Sequence, residues 1–153
     1  MRFWKIDALK HELSAAPLAA SQAVQYSIAS GVLTILLYGL PFYDANAWDV
    51  AGICGDAALL GAGSYLAYRA NGGADGRDLL GRYFSVTWVV GIRFLVLVMI
   101  PVLSFTLALE TYLYGDVPEQ TTPLELVVQL TCAAVFYWRV ATHLDSLCRM
   151  DAV

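Results

Sequence analysis

The stretch "YFSVTWVVGIRFLVLVMIPVLSFTLAL", residues 83–109, decides the class of molecule. Arg93 is its one charged side chain, and nearly everything around it is apolar. About 20 such residues suffice for a helix to cross the hydrocarbon core of a bilayer. Three more segments share this character: residues 21–40, 50–68 and 124–147. Turn chemistry separates them: Pro41 and Asn46, then Gly72, Gly73 and Gly76, then Gly115, Pro118 and Pro123. Composition agrees. Of 153 residues, 59% are hydrophobic and 14% charged, where soluble domains run at about 25% charged. A soluble domain of this length could not cover so much apolar surface. The expectation is an all-α integral membrane protein, one membrane domain over residues 1–153, folded as a bundle of four transmembrane helices.

Charge placement sets the expected orientation. Arg2, Lys5 and Lys10 precede the first span, Arg69, Arg77 and Arg82 surround the gap between the second and third, and Arg149 follows the fourth. The other two gaps hold no Lys or Arg and carry Asp44, Asp49, Glu110, Asp116, Glu119 and Glu125. By the positive-inside rule both termini are expected in the cytoplasm. Trp48, Tyr68, Tyr83, Tyr112 and Tyr114 fall near the expected boundaries, where amphipathic rings settle. Residues 3–13 read as a short cytoplasmic interfacial helix, with Ile6, Leu9 and Leu13 on one face and Lys5, Asp7 and Glu12 elsewhere. Charge alternates with apolar residues through this segment, unlike a cleaved signal, so it is expected to be retained.

Within the spans, ionisable residues are costly and mark the places to examine. Arg93 lies ten residues beyond Tyr83, about 15 Å along a helix. Its helical neighbours offer no acceptor, so its partner is expected on another helix. Asp56 is the leading candidate, since Asp49, Gly52, Asp56 and Gly63 form one stripe and small residues let helices approach closely. The pair reads either as a buried brace that fixes register or as a site that binds a cation or proton. Pro101 removes a backbone donor and frees the carbonyl of Leu97, which predicts a kink.

The last span has a polar stripe: Glu125, Gln129, Cys132, Phe136, Arg139, His143 and Ser146 recur in steps of four and three. This face is expected to look into the bundle, a subunit interface or a wet cleft. His143 is a candidate pH-sensitive group. Its alternative role, with Gln129 and Arg139, is interhelical hydrogen bonding and headgroup contact. Cys54, Cys132 and Cys148 form no metal-ligand spacing and read as free thiols. Two histidines are too few to ligate two haems in a bundle, and no HExxH, phosphate loop or GxSxG elbow occurs. No cofactor and no metal are expected. The net charge of −4 argues against nucleic acid.

Length and layout are similar to those of small multidrug exporters, but the first span carries no central Glu, and no site is carried over. Three functions compete. The first is a structural or accessory subunit of a cell membrane, a bacterial inner membrane by expectation, which binds itself or a membrane protein partner. The second is an oligomeric cation- or proton-linked transporter or channel using Asp56 and Arg93. The third is a lipid-modifying enzyme using Asp56 or His143.

Overall fold

The computed structural model describes residues 5–15, 22, 25–26, 28–30 and 46–151. Among them all regular structure is helical: α1 (Ile6–Ala15), α2 (Ala47–Ala70), a short 3-10 turn (Gly73–Asp75), α3 (Leu79–Phe94), a π turn (Leu95–Met99), α4 (Ile100–Tyr114) and α5 (Pro123–Asp151). The expected span over residues 21–40 lies outside the described residues, apart from six positions within it. Three helices are long and apolar enough to cross a membrane: Ala47–Ala70, the continuous Leu79–Tyr114 and Pro123–Asp151. The class is therefore that of a helical membrane protein.

Each helix starts or ends where local chemistry dictates. Asn46 caps α2, its side chain accepting from the amides of Trp48 and Asp49 while Asp49 accepts from the Asn46 amide at 2.7 Å. That capping box starts the helix before the expected Val50. Thr122 and Glu125 repeat the device at α5: Thr122 N–H donates to Glu125 Oε2 at 3.1 Å, and Glu125 N–H donates to Thr122 Oγ1 at 3.1 Å. Pro123 between them needs no N–H at the first helical position. Gly115 ends α4 at φ 80°, a left-handed conformation suited to glycine.

Pro101 takes a form that the sequence only half anticipates. The helix widens into the π turn just before it, and the Ile100 amide bonds Leu95 O, five residues back. The wider turn removes the conflict between the proline ring and the carbonyl one turn earlier, so the long helix continues instead of breaking.

The packing registers are fixed by named contacts. α2 and α5 run side by side in the same direction. A Cβ on Gly52 would meet Leu126 Cδ1 at 3.4 Å, one on Gly55 would meet Leu130 Cδ2 at 2.6 Å, and one on Gly63 would meet Tyr137 Cγ at 2.4 Å. The glycine stripe read from sequence is thus the seam on which α5 lies. The α3–α4 helix runs the opposite way, with the Phe94 and Phe136 rings 5.7 Å apart and Glu110 beside Thr122.

Exposed aromatic residues divide the helices into a lipid-like belt and an end beyond it. Trp48 and Tyr65 are both exposed on α2, about 26 Å apart along its axis. Tyr112 and Tyr114 are exposed at the Trp48 end, and Trp138, at 62% exposure, lies near the Tyr65 level. This spacing approaches the roughly 30 Å of a hydrocarbon core. Between the belts most outward residues are apolar, among them Ile53, Leu60, Leu97, Leu103, Phe105 and Val127. Beyond the Tyr65–Trp138 level the character changes. There Ile6, Leu9 and Leu13 of α1 are buried with Val86 and Val89 of α3 and Val140, Leu144 and Leu147 of α5. The helix read as lying on a membrane surface has its apolar face covered by protein.

Candidate functional site

Asp56 sits in the glycine seam. Its Oδ2 accepts a hydrogen bond from Gln129 Nε2 of α5 at 2.6 Å. Gly52, one turn earlier, faces that amide, and a Cβ there would stand in ordinary contact with Gln129 Nε2 at 3.7 Å. A carboxylate in an apolar bundle is tolerable only when donors meet it, and Gln129 supplies one from the polar stripe of the last span.

Arg93 belongs to another level. Its neighbour Phe94 packs on Phe136, so Arg93 stands near Tyr137, about 12 Å along the axis from the Gln129 level. A direct contact with Asp56 requires the long side chain to reach back along the bundle. The helix begins at Leu79 rather than Tyr83, and its first turns lie beyond the Trp138 level. This removes the depth that counting from Tyr83 gives Arg93. Its charge, with those of Lys10, Arg139 and Asp7, acts on His143. Arg139 is exposed and His143 half-buried on α5. Ser146 turns back to its own helix, donating to His143 O at 2.8 Å. The stripe on α5 therefore serves several neighbours in turn.

At the Trp48 end three helix ends are tied together. Asn46 Nδ2 donates to Thr121 O at 2.8 Å, and the Thr121 hydroxyl donates to Asp49 Oδ1 at 2.5 Å. The Thr122 hydroxyl donates to Glu110, which is wholly buried. The second oxygen of Glu110 is also buried, with no hydrogen-bond partner among the described residues. Two helix N-termini meet here, and their exposed amides and positive dipole ends favour carboxylates. That accounts for Asp49 and Glu125, each the third helical residue after its capping residue.

Sequence reasoning missed Arg82. It is 1% exposed, donates to Leu13 O at 3.2 Å and pairs with Asp151 at 2.7 Å. One guanidinium thus joins α1, α3 and α5. Read in sequence it was one more cation near a boundary, and only the position of Ser85, Val86 and Val89 on its buried face hinted otherwise.

Among the described residues no group of His, Cys, Asp and Glu could hold a metal ion. Cys54, Cys132 and Cys148 are free thiols, exposed, buried and half-buried in turn. A groove of about 310 Å³ beside the π turn is lined by Phe94, Val98, Val102, Val128, Thr131 and Cys132 with two further valines. Neither Asp56 nor His143 lines it. Compared with models of known families, with characterised proteins and with solved structures, the chain matches none.

Proposed function

We propose that this chain is a small multi-pass subunit of a cell membrane, with a structural or accessory role, that associates with itself or with a membrane protein partner. In this reading residues 21–40 supply a fourth span, both termini face the cytoplasm, and the membrane is a bacterial inner membrane. The observation that carries it is the use made of polar groups between the belts. Asp56 and Gln129 bond to one another across helices, while the groove is lined mostly by valines, with Phe94, Thr131 and Cys132, and neither Asp56 nor Gln129 reaches it. Polar contacts of this kind join helices and set register. The test is native mass measurement after extraction in a gentle detergent, expected to give a defined oligomer or a stoichiometric partner. A bare monomer that nonetheless carries cation flux in proteoliposomes would sink the reading.

A second reading is an oligomeric cation- or proton-linked transporter. The buried Glu110 with Asp49 and Glu125 at one mouth favours it, because acidic groups concentrate cations. Asp56 and Arg93 would form its inner path, as a charge pair between helices. Asp56→Asn is then expected to abolish flux. If Arg93→Leu lowers folded yield, adding Asp56→Leu is expected to restore it.

A further inference from the structure

Glu110 is wholly buried, yet only half of its carboxyl is answered. Oε1 accepts from the Thr122 hydroxyl. Oε2 is buried with no hydrogen-bond partner among the described residues. Thr122 cannot serve it as well, because a hydroxyl has one proton to give, and that hydroxyl already accepts from the Glu125 amide at 3.1 Å. Nor is a cation at hand. Residues 11–68 and 94–138 contain no Lys or Arg. Along the helices concerned, Arg93 lies about 25 Å back through α3–α4 and Arg139 about 21 Å on through α5. Among the described residues no group of acids, Cys and His could hold a metal ion. A buried carboxylate with neither donor nor counter-charge is strongly disfavoured. A proton on Oε2 removes the charge and turns that oxygen into a donor.

The acceptor for this proton is held by the same threonine. The Thr122 amide donates to Glu125 Oε2 at 3.1 Å, so one residue positions both carboxyls. They come within hydrogen-bond reach of one another, and two carboxyls can bond only through a proton. The helix ends decide which one carries it. Glu125 lies in the first turn of α5, where the dipole favours an anion. Glu110 lies just over one turn from the C-terminal end of α4, whose negative pole opposes one. Asp49, whose charge reaches Glu125 from α2, is answered by the Asn46 amide and the Thr121 hydroxyl. Asp116 and Glu119, in the loop between α4 and α5, are exposed. We propose that Glu110 and Glu125 form a proton-binding site, in which protonated Glu110 donates through Oε2 to ionised Glu125 and ties α4 to α5. The site stands under either reading above. A proton that stays is a clasp within a subunit, and one that exchanges with the outside is the coupling ion of a transporter.

The test is infrared difference spectroscopy on the full chain in lipid, titrated with pH. A protonated-carboxyl C=O band is expected at neutral pH, lost in Glu110→Gln and shifted in Glu125→Gln. No such band at neutral pH, or one unchanged in both variants, overturns the proposal. Thermal unfolding gives a second readout. The proton belongs to the folded pair, so its stabilisation is full at low pH and is lost as pH rises past its release, when two carboxylates face one another. The wild type is expected to lose melting temperature from neutral to alkaline pH. Glu110→Gln, which keeps a neutral donor of the same shape, is expected to lose less, and an equal loss overturns the proposal. Exchanging choline chloride for sodium or calcium chloride is expected to leave the melting temperature unchanged. A rise that Glu110→Gln abolishes would assign the site to a metal cation and overturn the proposal as well. Should Glu110→Gln fail to fold, Glu125→Gln carries both readouts, and neither depends on flux or on oligomeric state.

Discussion

A single guanidinium at Arg82 carries a large share of the order at one end of the molecule. It is buried with one carboxylate and one carbonyl as partners. Truncating it leaves Asp151 without its cation and the carbonyl of Leu13 without its donor. Breaking such a buried pair costs about 3–5 kcal/mol. Arg82→Ala is expected to release α1, measured as faster amide exchange at Leu9 and Leu13 with α2 unaffected. Unchanged exchange would mean that the apolar contacts of α1 suffice alone. Gln129 gives a smaller effect of the same kind. Gln129→Leu removes the donor seen at Asp56 Oδ2, and losing a hydrogen bond to a partly buried carboxylate is expected to cost about 1–3 kcal/mol, read as a lower melting temperature in detergent. Glycines divide by what faces them. Gly63→Ala sets a Cβ 2.4 Å from the Tyr137 ring, whereas nothing lies within 4 Å of one on Gly61. The first is expected to destabilise by about 1–3 kcal/mol. The second is expected to be neutral or to gain up to about 1 kcal/mol in helix propensity.

At the scale of the element, the π turn is the feature to test. It sits against Pro101 and beside the groove lined by Phe94, Val98 and Val102. Pro101→Ala restores a donor and removes the ring, so the α-helical ladder can close through residues 95–99. The expected result is loss of the widened turn, seen in carbonyl chemical shifts of Leu95 to Leu97, with the surrounding side chains rotating. If the shifts stay, packing rather than proline sets the turn. Helices were the most legible part of the sequence. Long apolar runs, Gly and Pro breaks and the Asp49–Gly63 stripe are local signals, and α2, α3–α4 and α5 follow them within a few residues. The glycine stripe even announced a close partner, though not that α5 would supply it. What sequence could not give was relative level. Depth counted from Tyr83 assumed that lipid begins there, yet α3 starts at Leu79 and runs on beyond the aromatic level. Arg82 consequently takes its partners, Leu13 and Asp151, from the two ends of the described chain, and no local pattern encodes those.

For the whole molecule, the three crossing helices are of unequal length, 24, 36 and 29 residues. At 1.5 Å per residue the longer two exceed a core of about 30 Å by roughly 14 Å or more. The surplus is gathered at the α1 end, where it forms a small core to which Ile6, Ala67, Val86 and Val140 all belong. Trp48 and Trp138 are expected to be quenched by lipids brominated near the headgroups more strongly than by lipids brominated at the chain ends. The reverse order for Trp138 would move the membrane along the bundle and bury Arg139 in hydrocarbon.

The clasp at Arg82 has a consequence in time. Leu13 belongs to the first described helix and Asp151 closes the last. A ribosome releases α1 long before it has made the residue that completes the seat of α1. Contacts so distant along the chain form late, and until then Ile6, Leu9 and Leu13 have no complete surface to cover them. During synthesis that apolar face stays available to lipid or to other proteins, so the finished arrangement of α1 records the end of assembly and not its beginning.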